Sequence, residues 1–376
     1  MKILFILEYY YPHIGGVETL FQTLAEELVK NGQHVRVVTS KLENGKSREY
    51  YNGVEIIRLR IPNTGRRYWF TFFSFWPLIR LSSGYKIIHT TTYNAALPAW
   101  LIAFIFRKKI IITVHEVWDK LWYKLPGINK ISAFFHKLFE WFILHLSFDY
   151  YVTDSDYTKL ALIKFTNRGK IIKRIYLGVD YNFFDPNIYS KDKIRNKLNL
   201  NNNFIYTYFG RPGWAKGVEY LIKSVPVIKK NIPNSKLMLI LTKDPINRYK
   251  FIEKLINEYS LQNDIILLNP VSHQELPNYI IASDCVVIPS LSEGFGFCVA
   301  ETCALKISVV ASNSGSIPEV ISGNHLLFKC CDSSAIAEAV FKVSRKEYQW
   351  KDIKKFNWSD CVNEYIQLYS RIHKKV

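Results

Sequence analysis

Short apolar runs separated by helical spacing recur along almost the whole chain. KILFIL (2–7), HVRVVTS (34–40), VEIIRLR (54–60), KIIHTTT (86–92), KIIITVHE (109–116) and FDYYVTD (148–154) read as strands. A helix is predicted over 16–31. A polar stretch without strand pattern, 187–203, interrupts the series, and the alternation then restarts. Strands are predicted over 204–210, 236–242, 264–270, 285–290, 307–312 and 325–328. Helices are predicted between them, over 216–230, 246–260, 274–283, 297–305 and 316–322. Strand runs without polar alternation must be covered on both faces, which predicts parallel sheets flanked by helices. The fold class is therefore α/β, as two doubly wound, Rossmann-like domains joined near residue 180 and facing one another. Ligands of such sheets bind beyond the carboxyl ends of the strands, so the cleft is the expected site.

A length of 376 residues agrees with two domains, each large enough for its own core. Hydrophobic residues at 48% and charged residues at 22% exclude a disordered or collagen-like chain. The six Cys match no zinc-ligand spacing and are too few for a disulfide scaffold, so a reduced, intracellular compartment is expected. No signal peptide is expected, because Glu8 breaks the first apolar run. No membrane span is expected either: the longest apolar run, 95–106, contains a Pro and falls short of about 20 residues.

Charge changes the picture in one region. Of a formal net charge of +18, residues 66–174 carry 17 Lys and Arg against six acids, together with 25 aromatic residues. Within it, ISAFFHKLFEWFILHL (131–146) has apolar residues at 131, 134, 135, 138, 139, 142 and 146, with Ser132, Lys137 and Glu140 opposite. That spacing is helical. Three readings are open: a core helix with a solvated basic face, a surface that docks on anionic membrane, or a nucleic-acid surface. No recognition-helix, zinc-finger or RNA-reading signature supports the last, and no nucleic acid is expected.

Four constellations carry chemistry. The first strand leads into EYYYPHIGGVETL, where Gly15 and Gly16 open a helix and allow backbone N–H groups to approach an anion. A plain tight turn with Glu18 in the first helical turn would look the same. In FGRPGWAKGVEYL (209–221), Arg211 and Lys216 flank a glycine-rich strand-to-helix loop, which suits a diphosphate. In SEGFGFCVAE (292–301), Glu293 and Glu301 bracket Gly294, Phe295 and Gly296 at a helix entrance. Carboxylates there can accept from sugar hydroxyls, or could form an acid/base pair for hydrolysis, which would leave the diphosphate loop unexplained. Finally, TVHEVWDK (113–120) puts His115 at the carboxyl end of a strand, where a neutral imidazole could bond a sugar hydroxyl.

Together with the hinge-like YLGVDYNFFDP, the segment PVSHQELPNYIIASDCVVIPS, and GSIPEVI, these residues resemble the retaining nucleotide-sugar glycosyltransferases of family four, with GT-B architecture. The resemblance spans essentially the whole chain. It implies residues 1–180 as an acceptor-side domain, 181–350 as the nucleotide-sugar domain, and 351–376 as a helix crossing back to the first. It also implies Arg211 and Lys216 on the donor diphosphate, Glu301 on the ribose, Glu293 and His115 near the donor sugar, and the Gly15–Gly16 turn closing over donor and acceptor. Gly294, Phe295 and Gly296 are assigned to donor binding. The family implies transfer with retention, no cofactor and no metal, the leaving diphosphate helping deprotonate the acceptor. Three positions depart from its pattern: Glu116 where Asp is common, Leu177 where Asn is usual, and His325 where Gly is usual.

The expected function is transfer of a sugar from a nucleotide diphosphate donor to a lipid-linked sugar or other membrane-associated glycan. The expected partners are a nucleotide sugar, that acceptor and an anionic membrane surface. The expected location is cytoplasmic, peripheral on the inner face of the cell membrane. Alternatives are transfer to a soluble acceptor or glucan, and a non-catalytic basic binding protein on the same scaffold.

Overall fold

The computed structural model describes residues 1–13, 15–42, 45–62, 65–167 and 169–374, without the side chains of Arg67 and Lys170. Arg168 of the basic stretch and residues 375–376 of the expected C-terminal helix lie outside the described residues. The chain divides into two compact units. The first comprises Met1–Lys124, Ile128–Gly178 and Trp358–Val376, the second Leu125–Gly127 and Val179–Asn357.

The first unit begins with β1 (Lys2–Ile6), α1 (Gly16–Lys30), β2 (His34–Ser40), β3 (Arg48–Tyr51), β4 (Val54–Leu59), α2 (Arg66–Phe73) and α3 (Phe75–Leu81). It continues with β5 (Ile87–Thr91), α4 (Ala96–Ile105), β6 (Lys109–Val114), α5 (Lys130–His145), β7 (Tyr150–Thr153), α6 (Asp156–Thr166) and β8 (Ile172–Arg174). Among the described residues these strands form one sheet in the order β3-β4-β2-β1-β5-β6-β7-β8. Only β3 runs antiparallel to its neighbour. It is the strand that apolar patterning misses, because REYY is polar and its pairing is set by the turn at Asn52–Gly53. Both turn residues have positive φ (47° and 79°), the geometry of a tight hairpin.

The second unit runs through α7 (Lys191–Lys197), β9 (Phe204–Gly210), α8 (Val218–Asn231), β10 (Ser235–Leu241), α9 (Ile246–Glu258), β11 (Ile265–Leu268) and α10 (Leu276–Ile281). It ends with β12 (Cys285–Ile288), α11 (Phe297–Ala304), β13 (Ser308–Ser312), α12 (Ile317–Val320), β14 (Gly323–Phe328), α13 (Ser333–Ser344) and β15 (Gln349–Lys351). Its strand order is β11-β10-β9-β12-β13-β14-β15, parallel up to β14 and antiparallel at β15. The predicted α/β class with two parallel-dominated sheets is the observed one. Within the polar stretch 187–203 lies α7, held by buried Arg195, which donates to the carbonyls of Ala282 and Asn203 and pairs with Asp284.

After β15 the chain adds α14 (Trp358–His373) to the first unit. Its buried face, Cys361, Val362, Tyr365, Leu368, Tyr369 and Ile372, repeats at three and four residues. Gly178, just ahead of the second unit, has no room for a side chain: a Cβ there would lie 2.4 Å from the Trp358 ring. Tyr369 closes on the centre of the sheet, its hydroxyl 2.6 Å from His89 Nδ1, while Thr113 Oγ1 lies 2.8 Å from His89 Nε2 and 3.2 Å from the Tyr365 hydroxyl. His89 is wholly buried, so its imidazole stays neutral and satisfied by hydroxyls.

Of the three readings left open for 131–146, the core helix fits only part of it. The helix at 131–146 forms as α5, but of its apolar stripe only Phe139 and Leu146 pack against the core. Ile131 (72% exposed), Phe134, Phe135 (61%), Leu138 and Phe142 point outward, and Ala133, Glu140, Ile143 and Leu144 are the buried residues. The periodicity was helical, yet the inward place is taken by a carboxylate with four donors around it, described below. On α2 and α3, Tyr68, Trp69, Phe72, Phe73 and Trp76 are exposed as well. Among the described residues no helix is long and apolar enough to cross a membrane.

Burial, with His115 nearby, lowers His89 from 6.5 to about 3. Between those values the unfolded chain binds a proton that the folded chain refuses, so the contribution of His89 to stability falls as pH drops below about 6.5. Melting temperature measured from pH 7.5 down to 5 should fall more, or rise less, in the wild type than in His89→Gln; equal slopes would refute the assignment.

Candidate functional site

In the second sheet the chain winds one way through β9, β10 and β11 and the other way through β12, β13 and β14, so neighbouring β9 and β12 form the topological switch point. Their carboxyl ends diverge there, and the loops that follow are the expected ligand site. The two loops touch closely. Leu291 N–H donates to the Ala215 carbonyl at 2.7 Å. Gly217 sits at φ +65°, and a Cβ on it would fall 2.1 Å from the Pro289 carbonyl oxygen.

This approach brings Lys216 and Glu293 together, Nζ to Oε1 at 2.8 Å, across 77 residues of sequence. Ser290 Oγ donates to the same carboxylate oxygen at 2.7 Å. Glu293 is held from its other side by Gly315, at φ +58°, where a Cβ would lie 2.5 Å from Glu293 N and 2.6 Å from its O. Ser316 N–H then donates to the Glu293 carbonyl at 3.0 Å. The loop leaving β9 is braced from below: Tyr208 O–H donates to the Arg211 carbonyl at 2.9 Å. Arg248, 1% exposed, donates to the Pro212 carbonyl, pairs with Glu219 at 2.8 Å, and lies over the Trp214 ring at 3.9 Å. The Arg211 guanidinium reaches Asp244 at 3.1 Å.

Gly294, Phe295 and Gly296 form the entrance to α11. Gly296, at φ +87°, is its N-cap, and buried Phe295 packs edge-on against Phe297 and Phe356. Burial pushes the Glu301 carboxyl up to about 7. Its side chain makes no ion pair or hydrogen bond among the described residues. A desolvated carboxyl in the second turn of α11, without a protein partner, is suited to bond a vicinal diol.

The first sheet has its own switch point, between β1 and β5. Asn94 Nδ2 donates to Glu8 Oε2 at 3.2 Å across it. Gly15 is the extended N-cap of α1, and Glu18 in the first turn lies 3.0 Å from His13 Nδ1. At the carboxyl end of β6, His115 Nδ1 is bonded to Asp154, from the end of β7. Burial opposes protonation of His115, but Asp154, with Glu116 and Glu18, outweighs it and holds the pKa above its ordinary value. His115 Nε2 is buried without a partner, which leaves one ring nitrogen for an incoming group. Thr158 Oγ1 donates to the His115 carbonyl at 3.1 Å and fixes its backbone.

The sequence-derived candidates thus fall into two sets. Gly15, Gly16 and His115 belong to the first unit; Arg211, Lys216, Glu293, Gly294, Phe295, Gly296 and Glu301 belong to the second. Asp154, Asp244, Arg248 and Ser290 were not read from sequence. Asp154 ended a recognisable strand, but nothing in the chain pairs it with a histidine 39 residues away. Among the described residues no three His, Cys, Asp or Glu side chains gather into a metal-ligand cluster.

Residues 14–183 match the family model for Glycosyltransferase Family 4, and residues 190–357 match the model for Glycosyl transferases group 1. The chain belongs to the family-four glycosyltransferases. An uncharacterised glycosyltransferase of Methanocaldococcus jannaschii is 25% identical over 98% of this chain and 98% of its own. The GPI3 subunit of phosphatidylinositol N-acetylglucosaminyltransferase from Saccharomyces cerevisiae is 21% identical over 99% of this chain and 83% of its own. Among solved structures, sucrose-phosphate synthase from Thermosynechococcus elongatus has a TM-score of 0.77 at 23% identity, covering 100% of both chains. HepE from Anabaena in complex with UDP-glucose has a TM-score of 0.73 at 18% identity, covering 99% of this chain and 100% of its own. The fold of this glycosyltransferase is accordingly GT-B.

In this glycosyltransferase the pairing of Glu293 with Lys216 depends on a side-chain-free residue at 315. Gly315→Ala must place a non-glycine residue at positive φ and push the Glu293 backbone aside, at a cost of about 1–3 kcal/mol for the backbone alone. Urea denaturation should report a loss of at least that size; a neutral substitution would show that the approach at 315 is relaxed.

Proposed function

We propose that this glycosyltransferase moves a sugar from a nucleoside diphosphate sugar to a lipid-linked sugar or other membrane-associated glycan, with retention and without a metal ion. The observation that carries it is the pair of cations on the loop leaving β9 at the β9/β12 switch point, Lys216 held by Glu293 and Arg211 by Asp244, with the backbone fixed by glycine contacts. A diphosphate is the anion that such a fork and ammonium recognise together. As the bond from the sugar's anomeric carbon to the diphosphate oxygen breaks, Arg211 and Lys216 neutralise the charge gathering on that oxygen. The same oxygen takes the acceptor hydroxyl's proton while the new glycosidic bond forms on the face it leaves. Glu301 accepts from the ribose hydroxyls, and His115 Nε2 bonds a sugar hydroxyl. HepE was solved with UDP-glucose, which agrees with a nucleotide-sugar donor.

The membrane half of the proposal rests on α5. Its outward apolar stripe is flanked by exposed Lys120, Lys124 and Lys130, and α2 abuts it through Tyr68 O–H and His136 Nε2 at 3.5 Å. Aromatic rings at headgroup depth with lysines beside them fit an anionic bilayer, each lysine adding about 1 kcal/mol. The yeast relative is named as a phosphatidylinositol glycosyltransferase, which agrees with a lipid-borne acceptor. Six free cysteines suit a reducing compartment, so the docking surface is assigned to the inner face of the cell membrane.

Two outcomes are expected. Incubation with a panel of nucleotide sugars should release nucleoside diphosphate from one donor, and Arg211→Ala should slow that release about 100-fold or more; undiminished release in the variant would remove the diphosphate assignment. Sedimentation with phosphatidylglycerol-containing vesicles should show binding that weakens as salt rises, and Phe135→Glu should abolish it. Absent or salt-insensitive binding would return the acceptor to the soluble class.

A further inference from the structure

The outward face of α5 has an inward counterpart. Glu140 is 1% exposed, and its carboxylate is the meeting point of two loops at the carboxyl ends of β5 and β6. Oε1 accepts from the Trp118 backbone N–H at 2.8 Å and the Tyr93 hydroxyl at 3.2 Å. Oε2 accepts from the Asp119 backbone N–H at 2.8 Å and the Trp122 indole N–H at 3.1 Å. Four donors on two oxygens satisfy a carboxylate that would otherwise be costly to bury. Neighbouring contacts run between the same elements. Lys137 pairs with Asp119 at 2.8 Å, and the His136 ring lies 4.7 Å from that of Trp122. Asp119 and Tyr93 both sit at positive φ (38° and 75°), a backbone state that non-glycine residues hold only when their surroundings impose it.

The segment gripped in this way starts three residues after His115. Helix α5 therefore offers apolar rings to the outside while its inner side bonds the main chain that follows a candidate site residue. An axial shift or tilt of α5 must either carry residues 116–124 with it or break these bonds. We propose that Glu140 is a positioning residue that couples docking of α5 on an anionic bilayer to the conformation of the segment following His115. The coupling rests on the membrane reading of α5 given above. It makes docking a regulator of turnover: the enzyme off the membrane holds this segment less firmly than the enzyme on it, and little donor is then wasted by hydrolysis away from acceptor.

Hydrogen exchange on the full chain tests this without knowledge of donor or acceptor, with vesicles of phosphatidylcholine and phosphatidylglycerol as the probe. Vesicle binding by the wild type should slow exchange in 116–124 and around Tyr93, outside the lipid-facing residues of α5. Glu140→Gln, whose amide cannot accept at both oxygens, should bind vesicles with unchanged affinity and lose that slowing; where the donor is in hand, vesicle stimulation of diphosphate release should disappear with it. Trp122→Phe removes one donor and leaves the helix intact, so it should lose part of the effect even if Glu140→Gln fails to fold. A vesicle-induced change that persists in both variants, or its absence in a wild type that does bind, overturns the coupling. A wild type that does not bind overturns the docking reading first, and sedimentation distinguishes the two failures.

Discussion

Strands covered by helices on both faces hold a charge only where a partner is buried with it, as Glu55 of β4 is with Arg36 of β2, because an ion there would otherwise be desolvated alone. In this protein the runs Ile3–Ile6, Ile110–Ile112, Tyr206–Phe209 and Val286–Ile288 are apolar or hydroxyl-bearing and buried. Charge is displaced to the loops beyond, and where neighbouring strands send their chains in opposite directions two such loops come side by side. Both switch points gather polar side chains, of different kinds. That of the first sheet gathers Glu8, Asn94 and, nearby, His115 with Asp154. That of the second pairs Lys216 with Glu293 and Arg211 with Asp244.

The cations of the second unit are arranged by groups that never meet solvent. Arg248 has the geometry of a ligand-binding arginine but spends it on the Pro212 carbonyl and on Glu219, with its plane on Trp214. A buried guanidinium in that position sets the height of the loop above the sheet. Lys216 and Arg211 take no part in that bracing and pair instead with Glu293 and Asp244.

What could be read from the chain follows from range. Apolar runs such as FIYTYFG and CVVIPS declare strands locally, and Gly210, Gly217 and Gly296 declare loops, because each states its requirement within a few residues. The fold and the second unit's loops were legible for that reason, the more so because their residues resemble a known family. REYY and QWK were not: edge strands at β3 and β15 need no apolar run, only a neighbour. Asp154 as the partner of His115 was not legible either, since the pairing exists only once β6 and β7 lie side by side. Helix α5 is the sharpest case. Its periodicity fixed a stripe but not a direction, and the inward side was decided by Trp118, Asp119, Trp122 and Tyr93, all outside the helix.

The placement of α14 has a consequence for the order of synthesis. Tyr365 and Tyr369 complete the centre of the first unit against His89 and Thr113, yet they are made after every residue of the second. A chain emerging from the ribosome in sequence can finish the second unit while the first still has a groove open along its sheet. The nascent first unit must therefore wait for α14 before Tyr365 and Tyr369 can close on the centre of its sheet, so the half of the molecule that is begun first is completed second.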